Sequence, residues 1–176
     1  MITLAQQTID FFTTNLREPK LEELKLENQA LVQERGCVFV TVYQKWEIRG
    51  SAGNIKEIEW SLAEETIKST IAAISTDKRF KPLTKAEAEW IRIRIDKIKN
   101  RKVLEVWKVA SIDPVTHGII VIKRDYTKLV TILPNISPAV LSSTDLVDYL
   151  EAKLWEKFDE KEYIVYEIET EVSTNY

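Results

Sequence analysis

The 176 residues carry 25 Lys and Arg against 28 Asp and Glu, a net charge of −3, with 44% hydrophobic and 30% charged content. Such a chain is expected to be soluble and globular and to bury roughly 70% of its unfolded surface. With a pI near 5.4 it is not built mainly to hold nucleic acid, which needs a basic surface. The single cysteine, Cys37, rules out an internal disulfide, and the single histidine, His117, leaves any zinc site dependent on carboxylates, so no metal and no cofactor are expected.

The opening MITLAQQTIDFF lacks the basic start and small-residue cleavage site of a signal peptide. No apolar run approaches the ~20 residues that span a bilayer. An intracellular, cytoplasmic protein without a membrane partner is the expectation. Thr3 and Gln6 fit a capping box for a helix running to about Leu16, with Leu4, Ile9, Phe12 and Leu16 on one stripe and Pro19 as the stop. Leu21 to Gln33 is charged, and reads either as a second helix or as a short helix entering a loop.

Gly36 then opens CVFVTVY, where Val38, Val40 and Val42 alternate with Cys37, Phe39 and Tyr43. A strand apolar on both faces is a central, covered strand, in which Cys37 is a small buried hydrophobe. Gln44-Lys45 is the expected reversal into a second strand starting at Trp46. Gly50 and Gly53 bracket Ser51-Ala52, where the backbone needs glycine's freedom or a close approach. Ser61 and Glu64 form a capping box before a helix with Leu62, Thr66, Ile67, Thr70, Ile71 and Ile74 at helical spacing. Pro82 marks a loop, and Thr84 with Glu87 a short helical start. From Trp90 to Ile98 the period changes to two, with Ile91, Ile93 and Ile95 facing in and Arg92, Arg94 and Asp96 facing out.

Residues 97–111 show no convincing period; Val103, Val106 and Trp107 are assigned to cover the sheet edge. Asp113-Pro114 is a turn, and His117-Gly118 introduces the apolar strand Ile119 to Ile122. Arg124 to Thr127 turns it back into Lys128 to Leu133. Asp145 or Thr144 caps a helix bearing Leu146, Leu150 and Leu154. Tyr163 to Val172 is the last strand, with Glu167, Glu169 and Glu171 on one face, guarding an edge.

Gly36 and Gly118 each open the same succession of strand, reversal, strand, loop and capped helix, at low residue identity. The expected fold is therefore α+β: one domain over 1–176, with a helical support (1–35) and two β–α units (36–98 and 112–176) forming a curved, barrel-like, mostly antiparallel sheet flanked by helices.

Five segments, in order, resemble the AMMECR domain family. GCVFVT (36–41) is similar to its opening GxFVTL strand, and IRGSAG (48–53) sits where the family carries LRGCIG. DKRF followed by PLT (77–84) is similar to DPRFxPL(T), HGII (117–120) to HGxxV, and LPNI (133–136) to LPQV. The resemblance implies a barrel-like sheet of two β–α repeats and kinship with proteins encoded beside Memo-like and radical-SAM proteins, which are the partners it suggests. It implies no settled reaction. Ser51 stands where the family has cysteine, and a serine hydroxyl is a far poorer nucleophile than a thiolate.

Two functional readings follow. In the first, Arg49, Gly50, Ser51 and Gly53, with His117, form a binding site for a small anion or a protein partner, the glycines admitting backbone N–H groups and Arg49 supplying a bidentate cation. The bland counterpart is a tight turn whose arginine pairs with a nearby carboxylate. In the second, Ser51 and His117 are nucleophile and base of a hydrolase or transferase, with Asp113 orienting the imidazole. The bland counterpart makes His117 a strand-entry residue. Nucleic-acid binding through the four cations of KIKNRK (97–102) is a third reading, testable by whether Arg92 and Arg94 extend that run into one patch.

Overall fold

The computed structural model describes residues 1–105 and 108–176; Val106 and Trp107 lie outside them. The chain divides into two units, one made of Met1–Lys97 and Val172–Tyr176 and the other of Ile98–Glu171. Two strands, the third and the sixth, run through both.

In the first unit, helix α1 covers Ile2–Asn15 with no side-chain cap. The expected Thr3–Gln6 box is absent, because Gln6 reaches forward to Asp10 at 3.0 Å. Leu16 closes the helix in a left-handed conformation at φ 56°, three residues before Pro19. The charged stretch after it holds only a 3₁₀ turn, Leu21–Glu23, and the single-turn helix α2, Ala30–Gln33. Strand β1 (Val38–Gln44) pairs antiparallel with β2 (Glu47–Gly53) and with β3 (Ile91–Val103). Between β1 and β2 the reversal sits at Lys45-Trp46, one residue later than read from the sequence. Both turn residues have positive φ, 51° and 68°, as a two-residue hairpin turn demands.

Helix α3 (Leu62–Ile71) is capped as expected by Ser61, which accepts from the Glu64 N–H, and continues into a π-helical turn, Ala72–Thr76. Helix α4 (Lys85–Ala88) carries the Thr84–Glu87 capping box. The apolar core joins Leu4 and Ile9 of α1 and Leu62 and Ile67 of α3 to Val38, Val40 and Val42 of β1 and Ile91, Ile93 and Ile95 of β3. Each such side chain contributes about 1.5–3 kcal/mol on burial.

The opposite face of β3 departs from expectation. Arg94 and Asp96, read as outward-facing, are buried, and the guanidinium forks onto the carboxylate at 2.8 and 2.7 Å. Mutual pairing is what allows two charges to leave water.

The second unit begins with the end of β3. Its strands β4 (Gly118–Lys123), β5 (Leu129–Ile132) and β6 (Tyr163–Thr174) are arranged with β4 between the other two, and every described ladder is antiparallel. Helix α5 (Ser143–Leu154) is capped by Ser142, two or three residues before the positions expected, with Asp145 completing the box. Leu146, Leu150 and Leu154 pack on Ile119, Val121, Ile132, Tyr163 and Val165.

Two expectations for this unit are corrected. The unreadable run after Lys97 continues β3 as far as Val103. Strand β6 is not an edge, since it neighbours both β3 and β4. Its glutamates answer the cations of β3: Lys99 pairs with Glu171 at 3.1 Å, and Asn100 donates to Glu169 at 2.8 Å. The class is α+β, and β1–β2–α3 and β4–β5–α5 repeat the same succession.

Candidate functional site

The five residues 49–53 belong to β2, not to a free turn. None of the described glycines has positive φ, so glycine is required at these positions by close approach. A Cβ on Gly50 would lie 2.0 Å from the Ala73 carbonyl oxygen of the π-helical turn. On Gly53 it would lie 2.4 Å from the Val38 oxygen and 2.6 Å from the Phe39 ring.

Packing the π-helical turn onto Gly50 brings the next segment, Asp77 to Glu87, alongside β2. Arg49 is drawn to it: Nε donates to Glu87 at 3.0 Å and Nη2 to the Lys81 carbonyl at 2.9 Å, leaving the side chain 13% exposed. Arg49 lies over the Phe80 ring at 5.7 Å, and Arg79 lies 5.2 Å from the same ring. Arg79 forks onto Asp77 at 3.0 and 2.6 Å. Asp77 in turn accepts the Ser51 N–H at 3.0 Å, and the Ser51 hydroxyl meets that of Thr41 at 3.0 Å.

The electrostatics follow from these bonds. Burial pushes the Asp77 carboxyl up, but the Arg79 side chain and the N–H groups of Ser51 and Arg79 overcome it and hold it at about 2. The Arg49 hydrogen bond holds Glu87 at about 2 as well, against partial burial and with help from Thr84. Both carboxylates are firmly ionised and weakly basic. Three further cations of the segment, Lys78, Lys81 and Lys85, are exposed and form no ion pair among the described residues.

His117 belongs to the second unit and has its own partners. Its Nδ1 meets the Thr116 hydroxyl at 2.9 Å, Thr116 donates to Asp113 at 2.8 Å, and Nε2 lies 3.6 Å from Glu169. Asp113 thus reaches the imidazole through Thr116 and not directly. Ser51 lies in the first unit, bonded to Thr41 and Asp77. Cys37 is half-buried and stands just before β1, outside the strand expected to cover it. Among the described residues, no three His, Cys, Asp or Glu side chains converge as a metal site requires, and no helix is long and apolar enough to cross a membrane.

Sequence reasoning overlooked Thr41 and Glu87. Thr41 was visible in principle, because the hairpin register sets it opposite Ser51. Glu87 lies 38 positions from Arg49, and only its role as a cap was legible.

The AMMECR1 family profile matches residues 2–170. Among curated proteins, the chain is 35% identical over 128 residues to Protein MK0488 of Methanopyrus kandleri, a match spanning 69% of this chain and 59% of that protein. A protein of Aeropyrum pernix is 28% identical over 109 residues, spanning 58% of this chain and 46% of its own length. The chain therefore spans roughly half the length of these relatives. A Methanosarcina mazei protein is 26% identical over 152 residues, covering 85% of this chain and 74% of that protein. Among solved structures, the uncharacterized protein PH0010 from Pyrococcus horikoshii has the same fold, with a TM-score of 0.81 at 21% identity, over 96% of this chain and 86% of that one.

Proposed function

As the chain belongs to the AMMECR1 family, we propose that it acts as an accessory binding protein, engaging a small anion or an acidic group of a protein partner beside Arg49–Gly53. The observation that carries this reading is the Asp77–Glu87 segment seated on β2. It sets Lys78, Lys81 and Lys85, together with the half-exposed Arg79, in one short stretch of a chain whose net charge is negative. Arg49 and the Ser51 N–H are engaged within the protein, so their part is to hold this segment, while the exposed cations meet the ligand.

The enzymatic alternative, Ser51 as nucleophile with His117 as base, has less support. The hydrogen bond of the Ser51 hydroxyl is to another hydroxyl, and a carboxylate held at about 2 is a poor proton acceptor at neutral pH. Memo-like and radical-SAM proteins, suggested by the family resemblance, are the partners to test first.

Inorganic phosphate is the probe for a small anion. Amide chemical-shift mapping should show saturable perturbation over residues 49–53 and 77–85, weakened in a K78Q/R79Q/K81Q variant. Co-purification with a Memo-like or radical-SAM protein, again compared with that variant, tests the protein arm. If neither probe is sensitive to the substitutions, the site is elsewhere.

A further inference from the structure

Elsewhere in the first unit, the β1–β2 reversal and the start of β3 enclose an open cleft of about 460 Å³ lined by Gln44, Lys45, Trp46, Trp90 and Arg92. Its two indoles are 63% and 74% exposed. Two exposed tryptophans beside one cleft are costly in water and are what a binding hot spot uses.

Three features define what the cleft accepts. The Arg92 guanidinium lies 3.7 Å over the Trp46 ring and 5.7 Å from that of Tyr176, which meets Trp46 edge-on at 5.3 Å. Stacking fixes the plane of the guanidinium while its N–H edges stay available for a carboxylate. Among the described residues Arg92 has ring contacts but no hydrogen bond or ion pair from its side chain, and Lys45 has no ion pair, so two cations face this cleft without a counter-charge. Finally, Lys45 and Trp46 both hold left-handed conformations, unusual for residues of this bulk. That backbone geometry presents the Trp46 indole at the tip of the hairpin.

We infer that this cleft is a docking site for an acidic segment of a partner protein, with a carboxylate on Arg92 and Lys45 and an apolar side chain against Trp46 and Trp90. Nucleic acid fits less well, because the cations that follow Arg92 along β3 as far as Lys99 are taken. Arg94 is buried on Asp96, Lys97 reaches Glu34, and Lys99 pairs with Glu171. An inorganic anion would use the cations and leave both indoles in water.

The test is selection of random displayed nonapeptides on the full-length chain, with an R92Q/W90A variant as the subtracting target. Both substitutions are at the surface of the cleft, and circular dichroism with thermal melting establishes that the variant folds. Enriched peptides should combine Asp or Glu with one large apolar residue. In fluorescence anisotropy the best of them should bind about 30-fold more weakly to the R92Q and W90A single variants, the loss typical of a truncated hot spot. The K78Q/R79Q/K81Q variant should bind it unchanged, which separates this site from the one proposed above. Three results would each overturn the inference: no enrichment over the subtracting target, enrichment without acidic residues, or displacement of the peptide by oligo(dT) at lower concentration than by unlabelled peptide.

Discussion

Replacing Gly50 by alanine tests whether the close approach of the π-helical turn to β2 organises the site. The added methyl would lie 2.0 Å from the Ala73 carbonyl oxygen and 3.1 Å from its carbonyl carbon, where ordinary contact starts at 3.4 Å. Neither strand nor helix offers a flexible side chain to yield, so backbone must move by more than an ångström. Overpacking of this kind costs about 3 kcal/mol, which in a chain of this size lowers Tm by roughly 6–12 °C. Thermal melting and urea denaturation measure it. Gly36→Ala is the matched control: its methyl would meet Leu62 and Lys97 side-chain carbons at 3.4 and 3.7 Å, ordinary contacts, so its stability should stay within about 0.5 kcal/mol of the parent. A Gly50→Ala protein as stable as Gly36→Ala would refute the reasoning.

The other expectations concern the polar pairs. Asp96→Asn removes the carboxylate onto which the buried Arg94 forks, and should cost about 3 kcal/mol in urea titrations; a loss below about 1 kcal/mol would mean that water reaches the guanidinium. Ser51→Ala should cost about 1 kcal/mol because it deprives the fully buried Thr41 hydroxyl of its bond. The Thr41→Val/Ser51→Ala double variant should then be less destabilised than the single costs added together, and strict additivity in that cycle counts against the hydroxyl pair. Acid stability should follow Asp77 and Glu87, both held at about 2 from ordinary values of 3.8 and 4.5. Depressed carboxylates stabilise fully above the unfolded values and lose that contribution as pH falls toward 2. The stability gap between the parent and Asp77→Asn, about 1–2 kcal/mol near neutrality, should therefore close as pH falls from about 4 to about 2. A gap that persists at the lowest pH would show that the carboxylate's charge is not what stabilises.

What could be read from the sequence was whatever is decided locally. The caps Ser61–Glu64 and Thr84–Glu87 each lie within one turn, and β1 declares itself by apolar residues on both faces. Reading failed where a partner is distant. The run KIKNRK has no period because its pattern is set by glutamates some seventy positions away on β6. Arg94 and Asp96 were assigned to solvent because alternating polarity was taken to mean water on the polar side, whereas here two charges satisfy each other. At the candidate site, the glycines signalled a backbone requirement correctly, but the cause proved to be Ala73 and Val38, which composition cannot name. The Trp46 turn was placed one residue early because it contains none of the residues that ordinarily mark positive φ.

The closing stretch of the chain has a consequence for how the protein is made. Residues 172–176 belong to the first unit: Asn175 exchanges two hydrogen bonds with the Ile93 backbone across 82 positions, and Tyr176 stacks edge-on against Trp46. A ribosome delivers the second unit before those residues emerge. The N-terminal half must therefore wait, with the flank of β3 uncovered, while its successor is synthesised. For that interval the nascent chain offers an open strand to any neighbour, and its completion depends on residues translated only after the whole second unit.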